Sequence, residues 1–171
     1  MRNIVLTGFM GTGKSEVGRL VAQKLCRPFI DVDREIEEEY GMSIPEIFRL
    51  HGEGGFRDRE AATLRRVAER GGAVISTGGG AVIRQENRDA LHKSGVIVCL
   101  TATPETILKR TSGNQDRPLL RGEDPLRKIW ELLESRRHYY ESADITIDTE
   151  GRDPREIAEE IIEAVSGRCE C

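Results

Sequence analysis

The segment Gly8-Phe9-Met10-Gly11-Thr12-Gly13-Lys14-Ser15 brings together the groups that a phosphate chain requires. Its glycines let backbone approach an anion closely, Lys14 supplies a mobile positive charge, and the Ser15 hydroxyl can ligate Mg²⁺. Such a loop works only if its flanks are right. The apolar run Ile4-Val5-Leu6 before it suits a buried parallel strand, and Val17, Leu20, Val21 and Leu25 after it fall on one helical face. Strand, glycine-rich turn and helix N-terminus, in that order, aim unpaired N–H groups and the helix dipole at one spot. The pattern predicts binding of a nucleoside triphosphate. The plainer alternative is a glycine turn that happens to end in Lys-Ser.

Phosphoryl transfer needs more than a cradle: ligands for a metal, an activated acceptor, and cations to meet charge on the leaving group. A metal-binding Asp is commonly found at the end of the third strand in such proteins. Here that strand, Ala73-Val74-Ile75-Ser76-Thr77, runs into Gly78-Gly79-Gly80 without a carboxylate. The next candidates are Asp31 and Asp33, at the end of the second strand, because the carboxyl ends of parallel strands face the ligand crevice. If the strand persists, the two aspartates point in different directions, one toward a metal and one toward an acceptor hydroxyl. The alternative is an Asx turn with Asp33 as the N-cap of the next helix. Three adjacent glycines are entropically costly, which makes sense where backbone lies directly against a ligand; a plain turn is the other reading. Arg57, with Glu60 one helical turn on, suits an arginine oriented by a carboxylate. An exposed surface charge is the alternative. Glu35 and Glu37–Glu39 read as a solvated helix face.

These residues need a frame. Short apolar runs at Ile4–Leu6, Phe29–Val32, Ala73–Ser76, Val96–Leu100 and Ile145–Ile147 alternate with helical pattern, as in an α/β fold with a parallel sheet. Helix starts are marked by Ser43 with Glu46, by Thr103-Pro104 and by Asp153-Pro154; the last leads into Ile157, Ile161, Ile162 and Val165. One segment, Thr111 to Asp124, is polar and rich in Gly, Asn and Asp, with two arginines; it reads as a functional lid or as an ordinary solvated loop. The 171 residues read as one domain, 1–171, and no oligomerisation stripe is visible, so a monomer is expected. A net charge of −4 argues against a broad nucleic-acid surface. No apolar stretch approaches membrane-spanning length and no signal-peptide core is present, so the expected location is the cytoplasm. Cys26 and Cys99 read as packing residues. Cys169 and Cys171 lie in a polar tail, with no second ligand pair to complete a metal site. His51, His92 and His138 are scattered.

The stretch from Asp33 to Glu60 is more specific. Asp33-x-x-Ile36-Glu37-x-x-x-Gly41-x-Ser43-Ile44-x-Glu46-Ile47-Phe48-x-x-x-Gly52-Glu53-x-x-Phe56-Arg57-x-x-Glu60 resembles the characteristic segment of shikimate kinases. The similarity spans nearly the whole chain and includes the triple glycine and Arg117-Pro118-Leu119-Leu120. It implies ATP-dependent phosphorylation of the 3-hydroxyl of shikimate, in the route to aromatic compounds. It also implies the three-layer sandwich of P-loop kinases: a five-stranded parallel sheet in the order 2-3-1-4-5, helices on both faces, a substrate-binding segment over 33–60 and a mobile lid over 111–124. By the same resemblance, Gly11, Thr12, Gly13, Lys14, Ser15 and Glu16 serve ATP, and Asp31 holds Mg²⁺ through water. Asp33 would meet the acceptor hydroxyls as general base. Arg57 and Arg136 would clamp the substrate carboxylate, and Gly79, between Gly78 and Gly80, would touch substrate through its backbone. Arg117 would fold onto the transferring phosphate, while Arg110 and Arg152 border the adenine.

One place departs from the family pattern. Arg-x-Pro usually precedes a tyrosine near the last strand, whereas this chain has Arg136-Arg137-His138-Tyr139-Tyr140. Counting back from Ala143-Asp144 favours Arg136 as the carboxylate ligand, with Arg137 the alternative. Loss of the proline removes a fixed backbone angle. The rival functions are another small-metabolite kinase of the same architecture, acting on gluconate or a nucleotide, and a catalytically inert nucleotide-binding module.

Overall fold

A computed structural model of the chain describes residues 1–112 and 124–167. The expectations for Arg117, for most of the 111–124 segment and for Cys169 and Cys171 lie outside the described residues.

Among the described residues, β1 (Asn3–Thr7), β2 (Phe29–Asp31), β3 (Val74–Ser76), β4 (Gly95–Thr101) and β5 (Ile145–Asp148) form one sheet in the order β2-β3-β1-β4-β5. Every pairing is parallel. β1 is central, with Leu6 opposite Ser76 on one side and Val98 on the other. Strands covered on both faces have no solvent side to keep polar, which explains the continuous apolar runs of β1 and β4.

Seven α-helices among the described residues surround the sheet: α1 (Lys14–Leu25), α2 (Val32–Tyr40), α3 (Ile44–Ala68), α4 (Gln85–Ser94), α5 (Pro104–Thr111), α6 (Pro125–Tyr140) and α7 (Pro154–Ser166). Alternate residues of β1 supply both layers. Ile4 and Leu6 pack with Val17, Val21, Ile157 and Ile161 of α1 and α7. Val5 faces the other way, toward Ile36, Phe56, Leu64 and Leu91 of α2, α3 and α4. A third cluster, with Phe9, Cys99, Ile107, Ile129 and Tyr140, fastens α5 and α6 near the ends of β1 and β4. The expected helix starts are present. Thr103 and Asp153 accept from backbone N–H groups within the first turns of α5 and α7, and Glu46 accepts from the Ser43 N–H at 2.9 Å. No described helix is long and apolar enough to cross a membrane.

Three local expectations are corrected. The second strand stops at Asp31, so Asp33 sits in the first turn of α2 and is neither a strand residue nor the N-cap. Val32 and Ile36 are both fully buried, and helical spacing is what puts them in the same core. Cys26 ends α1 with a left-handed φ of 52° and is exposed, because the chain turns outward there. The acidic face of α2 is largely an interface with α3. Glu35 and Glu39 pair with Arg66 at 3.1 and 3.0 Å, and Glu37 accepts from the Ile44 N–H at 2.9 Å.

Candidate active site

The phosphate loop leaves β1 at Gly8, where φ is +127° and a Cβ would lie 2.2 Å from the Leu100 carbonyl oxygen. Only glycine permits so tight a crossing over β4. The loop then rises into the N-terminus of α1, whose unpaired N–H groups face the ends of the strands. Lys14 is buried, and its Nζ donates to the carbonyls of Gly8 at 2.8 Å and Phe9 at 2.7 Å. The Ser15 hydroxyl donates to Asp31 Oδ2 at 2.6 Å and lies 3.3 Å from the Ser76 hydroxyl. Hydroxyl, carboxylate and hydroxyl thus meet at the ends of α1, β2 and β3, an all-oxygen set of the kind a hard divalent cation takes.

A cavity of about 560 Å³ opens over the loop. In one direction it reaches Asp31, Asp33, Gly78 and Gly79, and in the other Arg110 and Arg152. The glycine run is shaped by the groups packed on it. A Cβ on Gly78 would stand 2.8 Å from Asp33 Oδ1 and 2.9 Å from Glu60 Oε1, and one on Gly80 would stand 2.2 Å from Arg57 Nη2. Gly79 accepts the Tyr140 hydroxyl at 2.6 Å through its carbonyl. Asp33, Glu60 and Arg57 therefore converge on one short piece of backbone.

Arg57 and Arg136 are only 7% and 4% exposed. Arg57 Nη1 donates to Glu60 Oε2 at 2.7 Å, and Nη2 reaches Glu53 Oε1 at 3.3 Å. Arg57 Nε and Arg136 Nη1 are buried without a hydrogen-bond partner among the described residues. A buried guanidinium N–H with no acceptor is costly, and an incoming acceptor would relieve that cost. Burial pushes the Glu60 carboxyl up, the Arg57 guanidinium opposes that shift, and the Asp33 carboxylate adds to it. Arg137, one residue on, turns outward and pairs with Glu134. Arg136 is thus the arginine turned inward, with 5.7 Å from its guanidinium carbon to the Phe9 ring centroid and its charge acting on Glu60.

At the far end, Arg110 Nη1 donates to Gly11 O at 3.3 Å and Thr149 Oγ1 at 3.1 Å, tying the end of α5 to the phosphate loop. Arg152 Nη1 donates to Asp148 O at 3.0 Å, and its other nitrogen pairs with Glu160. Sequence reasoning missed Ser76, Glu53 and Tyr140. Tyr140 falls one helical turn after Arg136, and that spacing was its available signal. Ser76 carried none beyond its place at a strand end.

A family model described as shikimate kinase matches residues 10–166. The chain belongs to the shikimate kinase family. A shikimate kinase of Thermodesulfovibrio yellowstonii is 51% identical over 162 residues, covering 95% of this chain and 94% of the relative. One from Pseudomonas syringae pv. syringae is 50% identical over 163 residues, covering 95% of each chain. Among solved structures, the shikimate kinase of Acinetobacter baumannii in complex with shikimate superimposes with a TM-score of 0.96 at 40% identity, covering 100% of this chain and 96% of that one. A gluconokinase from Sinorhizobium meliloti, at 21% identity and a TM-score of 0.63, shares the fold alone. Shikimate kinases take ATP as co-substrate, and the fold and family together make this chain a phosphotransferase.

Proposed function

We propose that this pocket transfers the γ-phosphoryl group of ATP to the 3-hydroxyl of shikimate, giving shikimate 3-phosphate for aromatic amino-acid biosynthesis. The observation that carries the reading is the convergence of Asp33 and Arg57 on the Gly78–Gly80 backbone, with Arg136 against Phe9 of the phosphate loop and guanidinium N–H donors left over. Arg57 and Arg136 clamp the substrate carboxylate, and Gly79 meets the ring through its backbone. This places the 3-hydroxyl at Asp33, which accepts its proton as the oxygen attacks the γ-phosphorus. The new O–P bond forms as the bond to the β,γ-bridging oxygen breaks, and ADP leaves with that electron pair. Gly11, Thr12, Gly13 and Glu16 line the phosphate end, and Lys14 exchanges its two loop carbonyls for phosphate oxygens. Arg110 and Arg152 border the adenine.

The oxygen set at Ser15 and Asp31 fits Mg²⁺, with Asp31 acting through water. An ion of this kind is held by one or two protein groups together with substrate phosphates and water. When bound, Mg²⁺ neutralises charge on the phosphate oxygens. The resemblance gives Arg117 the role of closing on the transferring phosphate, with 111–124 as lid and 33–60 as substrate segment of a single domain. A monomer in the cytoplasm is the working state.

An ADP-release assay against shikimate, gluconate and nucleoside monophosphates tests this. Turnover is expected with shikimate alone, and turnover with gluconate or a nucleotide instead would establish the rival kinase. Asp33→Asn is expected to keep fold and ATP binding yet lose at least ~10²-fold in kcat, the usual size of a lost general base. Full activity in that variant refutes its role.

A further inference from the structure

Arg57 is held by two carboxylates of its own helix, and they are unlike. Glu60 is fully buried and takes Nη1 at 2.7 Å. Glu53 takes Nη2 at 3.3 Å, and its side chain is 52% exposed. Its backbone is also differently placed. Glu53 follows Gly52, where φ 67° and ψ −178° interrupt the helix, and a Cβ at Gly52 or Gly54 would meet nothing within 4 Å. Glu60 is packed between Gly78 and Arg57, while Glu53 lies in an exposed stretch with His51, Gly52 and Gly54. The guanidinium lies against Gly80, with Nη2, the nitrogen Glu53 takes, 2.2 Å and Nη1 2.6 Å from where a Cβ there would stand.

We infer that Glu53 is a built-in substitute for the substrate carboxylate: it neutralises the outer edge of Arg57 while the pocket is empty and is displaced when shikimate binds. The inference rests on the proposed clamp role of Arg57. A buried guanidinium needs a counter-ion at all times, and Glu60 supplies one to its inner edge. The outer edge must stay exchangeable, which suits an acid held by a long, half-solvated contact next to a helix break. Substrate affinity is then a difference between two carboxylates competing for one donor. Glu53 weakens shikimate binding, and by the same competition keeps stray small anions off Arg57.

Glu53→Gln tests this by steady-state kinetics. The KM for shikimate is expected to fall about two- to fivefold, the upper value being the equivalent of about 1 kcal/mol for a half-exposed ion pair. The KM for ATP should not move, nor should that for the carboxamide analogue of shikimate, which brings no charge to compete. Glu53→Ala should behave alike, and in an Arg57→Ala background Glu53→Gln should have no effect. An unchanged or raised KM for shikimate in both Glu53 variants overturns the inference, and Glu53 is then simply a support for Arg57. Arg57→Ala alone separates the two layers. If it leaves the KM for shikimate unchanged, the clamp reading itself fails; if it raises that KM while Glu53→Gln does not lower it, only the substitute role fails.

Discussion

Two adjacent arginines, Arg136 and Arg137, show how much one step along a helix decides. They are separated by about 100° around α6, so one is sealed against Phe9 and the other pairs with Glu134 in solvent. Arg136→Ala is expected to raise the KM for shikimate about 10–100-fold, the range for losing a hydrogen bond to a charged group, while Arg137→Ala stays within twofold. Steady-state kinetics on the two variants checks this. Tyr140 adds a pH dependence. Burial pushes its phenol from 10.0 up to about 12, so the folded state favours the neutral form. That contribution is complete below pH 10 and declines as pH rises from 10 toward 12, where the unfolded phenol already ionises. Melting temperature measured across that window should fall in the wild type, and Tyr140→Phe should lack this part of the fall. Single residues were legible where spacing alone sets geometry. Lys14 and Ser15 follow from the loop pattern, and the Arg57–Glu60 contact from the three-residue interval. Arg136 and Arg137 were not distinguishable that way, because burial depends on what α6 packs against.

Among the elements, α5 and the turn after β5 act as a unit. Glu150 accepts from the Thr103 N–H at 3.2 Å and the Thr103 hydroxyl at 3.1 Å, and also from Thr106, at the start of α5. Thr149, the preceding residue, accepts from Arg110 at the end of the same helix. The turn is stitched to both ends of α5 and carries Arg152 on toward the nucleotide cavity. Glu150→Ala is expected to raise the KM for ATP about three- to tenfold, the equivalent of ~1 kcal/mol for a lost cap, with the KM for shikimate within twofold. Initial rates with each substrate varied in turn decide it. Element identity was readable from apolar runs and caps, since both are local. The end of β2 was not, because Val32 suits a strand as well as a helix start and only the shared burial with Ile36 chooses. The sheet order came from family resemblance; periodicity says nothing about which strands are neighbours.

For the molecule as a whole, substrate selection is not a property of the fold, since a gluconokinase at 21% identity shares the architecture. The sheet brings the ends of distant strands to one edge, and binding there should stabilise the entire domain. ADP with Mg²⁺ at a hundred times its Kd contributes about 2.7 kcal/mol, which for a domain of this size raises Tm by about 5–10 °C. Differential scanning calorimetry with and without the nucleotide measures it, and an unmoved Tm would deny the nucleotide site. The central position of β1 also governs how the molecule is made. Its partners are Val74–Ser76 and Gly95–Thr101, the second about ninety residues further along. At ribosomal speeds of about 5–20 residues per second, Asn3–Thr7 spends on the order of 5–20 seconds outside the tunnel before both neighbours exist. Throughout that interval a sticky apolar ribbon has two bare margins, an open invitation to chaperones that capture extended hydrophobic peptides. The nucleotide cradle is thus translated well before the strands that give it shape.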